Sequence, residues 1–423
     1  MEEEILKKQQ EIVANANALA FQRMTTAEPK LESIQTAKNV IPDMDSRTLL
    51  HSGPPIPWKE MPGATRGALI GAMIYEGWVA TEEEAIRKLD DGFAKIEACC
   101  DHNAVGPMAG VISPSMPVFV ISDDQTKHTV FSTINEGLGK VLRFGGLGDE
   151  VIRRLKWIEK TVGPSLDAAL SRSGPIKLKP IVAESIRRGD EVHNRNKSAT
   201  SSFYMIITPH LVATEVAKET VIEIMKFIAD NVHFFLNISM GAAKIITLAA
   251  HNISNSSIVT TMITNGVEFG IKVSGTGEKW FKASAPMVDA KYFKGFSSAD
   301  ASPQLGDSSI IETAGYGAFA LAASPAIVEF IGGTVEYAIE ITNRMKKICY
   351  GSSPDFLIPV IGYAGTGTGI DVLKVCETGI APMMDAGVAH KIAGKGQIGA
   401  GIVTAPLTCF QQARAELARS VNR

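Results

Sequence analysis

No sign of charge prevails in this 423-residue chain: 42 Lys and Arg stand against 45 Asp and Glu, a formal net charge of −3. A nucleic-acid interface needs a basic face and recruitment to an anionic membrane a basic cluster, so neither is expected. Cysteine is scarce. Five cysteines, an odd number without a repeating interval, do not make a disulfide framework. An unbroken apolar run is also lacking. The longest uncharged stretch, Asn103–Ser122, carries Pro107, Pro114 and Pro117 with Gly106 and Gly110, and proline at that density breaks the ladder a lipid-exposed helix requires. Buried strand and turn are expected there. The opening MEEEILKKQQ is acidic and then basic with no apolar stretch behind it, so no secretory signal is expected and a cytoplasmic protein is. G-x-S-x-G, H-E-x-x-H and the G-K-[ST] ending of a Walker loop are wanting too, which takes support from common hydrolase and P-loop classes. Repeats at solenoid or propeller periods are not found.

What is present suits an ordinary globular protein, with 45% hydrophobic and 21% charged residues. At roughly 100 to 200 residues per domain, two to four domains are expected. Ile5, Ile12, Val13, Ala16 and Leu19 predict the inner face of a first helix. Gly63, Gly67, Gly71 and Gly77 dot an apolar segment, predicting a helix packed very closely against a neighbour. Thr81-Glu-Glu-Glu84 has the pattern of a capping box. From Asp149, a plausible N-cap, to Gly189 the pattern is helical and densely charged, divided at Gly163-Pro164 and Gly174-Pro175. A further amphipathic helix is expected over 214–230. Thr264-Asn265-Gly266 between two β-rich runs is a hairpin signal, and 356–363 and 398–403 read as strands. The expected fold is α/β (α+β mixed) and multi-domain: an N-terminal α/β domain over 1–148, a small helical domain inserted near the middle over 149–213, and a C-terminal α/β domain over 214–423 that can combine with the first.

Several polar runs can carry chemistry. Gly189-Asp-Glu-Val-His-Asn-Arg-Asn196 supplies an acid, a base and donors for a carbonyl or carboxylate. Its bland reading, given equal weight, is an exposed cap with Glu191 and Arg195 paired at i,i+4. Cys99-Cys-Asp-His102 leads into a glycine-rich turn whose N–H groups could bind an anion; a satisfied histidine in a turn is the alternative, and adjacent cysteines lack zinc spacing. Lys140 and Arg143 lie among the glycines of Asn135–Gly148, a possible phosphate or carboxylate cradle, or else solvated cations around a short helix. Gly365-Thr-Gly-Thr-Gly369 is a weak dinucleotide signal without the third fingerprint glycine. Asp307–Glu312 and Ala389-His-Lys391 are polar islands of the kind more often buried and paired than catalytic.

Leu50-His-Ser-Gly-Pro-Pro55, Asn103-Ala-Val-Gly-Pro-Met108, Asn135-Glu-Gly-Leu-Gly-Lys140 with Arg143-Phe-Gly145, Gly189-Asp-Glu191 with His193 and Arg195-Asn196, Asn265-Gly266, Phe269-Gly270, Val273-Ser-Gly275, Gly306-Asp-Ser308, Glu312-Thr313 and Ala389-His-Lys391 occur in order along the chain. On these motifs, spread from about residue 10 to beyond 410, the chain resembles the YlbE/YahG-like family, a domain of unknown function, and within it the AllG branch of oxamate carbamoyltransferase subunits. The resemblance implies interconversion of oxalurate plus phosphate with oxamate plus carbamoyl phosphate, in anaerobic allantoin and purine breakdown. It implies FdrA-like and YlbF-like partner subunits and small anionic substrates. No cofactor or metal is expected, and a homo-oligomer is. Carried onto this sequence, His193 with Asp190 or Glu191 to orient it, and His102, form the expected catalytic set. Lys140 and Arg143 are expected to hold phosphate, Arg195 the substrate carboxylate, and backbone at Gly106 the carbonyl, with Asn196, Asn265 and Lys391 completing the binding set. A non-catalytic assembly or substrate-binding subunit, and a metal-dependent amidohydrolase acting on ureido acids, remain as alternatives.

Overall fold

A computed structural model describes residues 2–325 and 333–421. The fold is mixed α/β, as expected, with helices packed around several small sheets. The chain opens with the helix Glu2–Thr26, whose inner face is Asn17, Ala20 and Met24. Ile12 and Leu19 are instead 40% exposed, so the predicted apolar stripe is displaced. The reason is a buried polar side chain: the Asn17 amide donates to Ser257 Oγ at 2.8 Å and its carbonyl accepts from Ser256 Oγ and the Ser257 N–H.

One antiparallel sheet orders its strands Thr129–Thr133, Pro117–Ser122, Lys30–Thr36 and Ile176–Lys177. Over it pack the helices of the segment 149–248, which contains only that two-residue strand. The largest apolar cluster draws on all three predicted sequence segments, from Ala20 and Phe119 through Leu166 and Phe203 to Ile246 and Phe356. Within the helical segment Gly163-Pro164 does not end a helix. A π-helical turn over Ile158–Val162 absorbs it and the helix continues to Ser173, where Gly174 stops it. The expected helix at 214–230 begins later, at Lys218, and buries Val221, Ile224 and Ile228.

A second four-stranded sheet, in the order Leu305–Gly306, Val259–Asn265, Glu268–Val273 and Phe281–Ser284, contains the predicted Asn265-Gly266 hairpin. Gly266 sits at φ +85, a conformation that favours glycine. Met383–Ala389 pairs with Gln397–Thr404, and Cys349–Ile358 with Ala364–Ile370. The glycines of 365–369 are therefore a buried hairpin strand rather than a nucleotide loop; a Cβ on Gly365 would lie 2.0 Å from the Ser353 carbonyl oxygen. The glycine-dotted helix is real, Gly63–Tyr75, and its close neighbour is the loop that carries Arg143. A Cβ on Gly67 would meet the Gly145 oxygen at 2.7 Å, and one on Gly71 the Leu142 side chain at 2.5 Å. Thr81 caps the helix Glu82–Asp90 through the Glu84 N–H, though Glu84 answers to Ala80 rather than to the cap itself. All five cysteines are free thiols. Among the described residues no helix is long and apolar enough to cross a membrane.

Candidate functional site

The polar run after Gly189 does not lie on a solvated surface. Asp190, Glu191, His193 and Asn196 are each at most 3% exposed. Gly189 takes φ +95, as a helix end requires, and the chain then turns inward. Val192, a buried β-branched residue, takes φ +64, a conformation such side chains rarely adopt. It is held there by its own N–H donating to the Arg195 carbonyl at 3.0 Å and its carbonyl accepting from Ser239 Oγ at 3.1 Å. This forced turn separates Glu191 from His193 and lets both side chains enter one interior.

The His193 ring is fixed by Glu312 rather than by Asp190 or Glu191. Its Nδ1 lies 2.7 Å from Glu312 Oε1, so Nε2 is the nitrogen left to exchange a proton. Glu312, fully buried on the short helix Ile310–Thr313, also accepts the Ala318 N–H at 3.0 Å and the Asp385 N–H at 3.2 Å. Its other oxygen, and both oxygens of the buried Asp385 carboxylate, lack a hydrogen-bond partner among the described residues. Burial pulls the His193 imidazole down, but the Glu312 carboxylate outweighs it and holds the ring above its ordinary value. Burial, and then the Asp385 carboxylate, keep the Glu191 carboxyl well above the carboxylate range; burial and Glu312 do the same to Asp385. The centre is thus acid-rich: three carboxyl groups face one imidazole. His193, Glu312 and Asp385 also present ligand atoms all within 4.8 Å of one another, a set that could hold a divalent cation.

The other residues of the run hold this centre in place. Asp190 accepts the N–H groups of Ser198 and Ala199 and so caps the helix Lys197–Val212. Its carboxylate also meets the Arg195 Nε at 3.1 Å. Glu191 receives the Arg195 backbone N–H at 2.7 Å, so the i,i+4 relation of Glu191 and Arg195 is a backbone clasp and not a side-chain pair. The Asn196 amide donates to the His193 carbonyl at 2.5 Å.

Arg143 reaches the same neighbourhood from the glycine loop. It is 6% exposed, donates from Nη2 to the Gly137 carbonyl at 2.8 Å, and stands on the Phe144 ring. Burial pushes its guanidinium down to about 10. Buried Glu136 straightens the loop by accepting the Leu142 and Arg143 N–H groups at 2.8 and 3.2 Å. His233 lies between Arg143 and the 190–196 turn: its Nε2 contacts the Asn194 carbonyl at 2.8 Å, and burial together with the Arg143 and His193 charges holds it down to about 4. Arg143 and His193 therefore both act on His233, while the Arg195 side chain turns to Asp190.

Other expected site residues have structural partners. The Lys140 ammonium is 46% exposed and points to Glu150 at 3.4 Å. His102 is engaged at both nitrogens, by the Pro42 carbonyl at 2.7 Å and Glu97 at 3.0 Å. Asn265 ties its hairpin, accepting from Val267 and Glu268 and donating to the Pro54 carbonyl. Lys391 is at the surface, bonded to the Ala299 carbonyl. The Gly106 N–H is already spent on Asp307 Oδ2 at 3.0 Å. Asp385 and His233 have no place in the sequence motifs, and Glu312 stands there in a polar island and a family motif but not in the expected catalytic set. The available signal for Asp385 was a lone acid in an apolar strand, Met383–Ala389.

The buried acids set a pH dependence. Burial pushes Asp190 up to about 6 from an ordinary 3.8, against the pull of its two N–H donors. A folded-state value above the unfolded one means that folding takes up a proton. That stabilisation is complete below the unfolded value and is lost as pH rises through about 6. The urea midpoint should therefore fall between about pH 4 and pH 6. Asp190→Asn, which keeps a good N-cap oxygen, should flatten that fall; an unchanged slope would show that Asp190 does not contribute.

Three comparisons place the chain among known proteins. The family described as "Oxamate carbamoyltransferase subunit AllG" matches residues 94–308. The chain is 40% identical over 413 residues to the oxamate carbamoyltransferase subunit AllG of Escherichia coli (strain K12), covering 97% of this chain and 99% of that one. It is 39% identical over 401 residues to the uncharacterized protein YahG of the same strain, covering 95% and 85%. A crystal structure of a conserved protein of unknown function from Enterococcus faecalis V583 superposes with a TM-score of 0.96 at 40% identity, covering 98% of this chain and 99% of that one. The chain belongs to the AllG family.

Proposed function

We propose that the chain is a subunit of an oxamate carbamoyltransferase that converts oxalurate and phosphate to oxamate and carbamoyl phosphate, and the reverse. The observation that carries this reading is 40% identity to the AllG subunit along almost the full length of both chains. The interior around His193 supports it chemically. In the direction of carbamoyl phosphate, a phosphate oxygen attacks the ureido carbonyl carbon, the bond from that carbon to the oxamate nitrogen breaks, and the nitrogen takes up the proton that phosphate gives up. Two anions must be held and one nitrogen protonated. Arg143 and Arg195 supply the positive charge, and His193, oriented by Glu312, passes a proton from Nε2 to the nitrogen and takes back the one that phosphate gives up. Lys140, on the loop that carries Arg143, screens incoming phosphate from the surface. The activity requires FdrA-like and YlbF-like subunits, and the pathway served is anaerobic allantoin breakdown.

The test is co-expression with both partners and an assay of carbamoyl phosphate formed from oxalurate and inorganic phosphate. Arg195→Ala should lower that activity by about 100-fold, the loss expected when one preorganised donor to a bound or developing charge is removed. Wild-type activity in that variant removes Arg195 from the site. A second reading, a metal-dependent hydrolase of ureido acids, is favoured by the ligand atoms of His193, Glu312 and Asp385. It requires ammonia as product and loss of activity on chelation; carbamoyl phosphate formed in the presence of chelator rejects it.

A further inference from the structure

A cavity of about 370 Å³ opens on the other side of the Cys99–His102 turn, between that turn, the helix Leu236–Leu248 and the strand Glu268–Val273. Nothing assigned above uses it. Two lysines form its floor. Lys244 and Lys272 are 3% and 4% exposed, a degree of burial that lysine almost never reaches without a partner.

The two differ in what compensates them. Lys272 pairs with Glu278 at 2.6 Å, lies 3.8 Å from Asp101, and has its ammonium 4.7 Å from the centre of the Trp280 ring. Burial would lower its charge, yet the negative groups around it, Glu278 and Asp101 among them, hold it in the protonated form. Lys244 has no such contact: it touches Cys100 Sγ at 3.5 Å, no carboxylate lies within 4 Å of it among the described residues, and the buried acid whose charge reaches it, Asp307, has both oxygens bonded to the Gly53 and Gly106 N–H groups. An ammonium carries three donors, and a thiol is a weak acceptor. The acids of the cavity stand at its mouth, with the side chains of Glu278 69% and Asp101 43% exposed. Positive charge at the bottom, negative charge at the rim and an under-compensated ammonium facing open space make a site that lacks an anion. A buried charge left alone is costly, and a bound oxyanion would offset that cost.

We propose that this cavity is a second ligand site, which takes a small oxyanion, a phosphate or the carboxylate of a short acid, on Lys244 with Lys272 beside it. The proposal stands apart from the reading of the His193 centre. Equilibrium dialysis of the full chain against labelled inorganic phosphate, and separately against labelled oxamate, tests it. The wild-type chain should bind at least one of the two. Lys244→Met, which keeps an apolar stem of similar length, should weaken that binding at least tenfold, Lys244→Arg should retain part of it, and Arg195→Ala should leave the Lys244-dependent component in place. Binding of phosphate alone, or of oxamate alone, identifies which oxyanion the site takes. Should Lys244→Met fail to show a cooperative thermal transition, Lys272→Met is read in its place. No binding of either probe at millimolar concentration, or undiminished binding in the methionine variant, overturns the proposal. Loss of carbamoyl transfer in Arg195→Ala, with anion binding kept, would separate the fate of this site from that of the catalytic reading.

Discussion

Replacing His193 by glutamine should lower carbamoyl phosphate formation by the reconstituted complex by about 10²- to 10⁴-fold, the range a positioned general acid contributes. Glutamine is the informative change because it keeps a donor toward Glu312, which alanine would leave as a buried carboxylate without its partner. The pH profile separates a proton donor from a mere strut. Glu312 holds the ring above its ordinary value, so the imidazolium persists to higher pH than in a free histidine and is lost as pH rises through that raised value. Wild-type turnover from oxalurate should decline there, and the residual turnover of the variant should not. Glu312→Gln should shift the decline to lower pH, because the neutral amide no longer favours the imidazolium. A histidine acting only as a packing element would give a loss of activity with an unchanged profile. That result would remove His193 from the chemistry.

The parts of this fold that were legible in the sequence are those fixed by a few adjacent residues. Asn265-Gly266 specifies its turn because few residues other than glycine tolerate the positive φ at that point. Gly63, Gly67 and Gly71, one helical turn apart, announced a backbone in close contact, and the contact is the Lys391 carbonyl for Gly63 and the Arg143 loop for Gly67 and Gly71. The misreadings arise where a distant partner decides. Asn17 looks like a solvated residue until Ser256 and Ser257, about 240 positions away, take its amide, and the inner face of the first helix shifts accordingly. The run 189–196 was found, but not its geometry. Glu312 is 119 positions from His193, and Asp385 lies beyond it in a strand whose composition is otherwise apolar. No local pattern could say that they would meet. His102 carries the opposite lesson: an acid-flanked histidine before a glycine turn fitted a catalytic reading, and both of its nitrogens are occupied by Pro42 and Glu97.

Asp307→Ala should be among the most destabilising single changes to a polar residue in this chain, because one carboxylate joins three loops that the sequence keeps far apart. Its Oδ1 accepts the Gly53 N–H at 2.7 Å and its Oδ2 the Gly106 N–H at 3.0 Å, while its own N–H returns to the Gly106 carbonyl at 3.0 Å. The loops cannot move apart to find other partners. Gly53 stands at φ +83 with the Asn265 nitrogen 2.3 Å from where a Cβ would be, and Gly306, at φ +124, is packed as closely against Met108. Water is excluded, since Asp307 is fully buried. Alanine leaves two buried N–H groups unpaired, at about 1 to 3 kcal/mol each, so a loss of about 2 to 6 kcal/mol is expected from urea unfolding. Burial pushes the Asp307 carboxyl up to about 7 from 3.8, so the ionised form that both amides prefer also bears a desolvation cost. The sign follows from proton uptake on folding: the contribution of the protonated carboxyl is complete below the unfolded value and is lost as pH rises through about 7. The penalty of Asp307→Ala should therefore be larger at pH 5 than at pH 8. Equal penalties at the two pH values would mean that the side chain acts only through its shape, and a penalty below 1 kcal/mol at both would show that the three loops hold together without it.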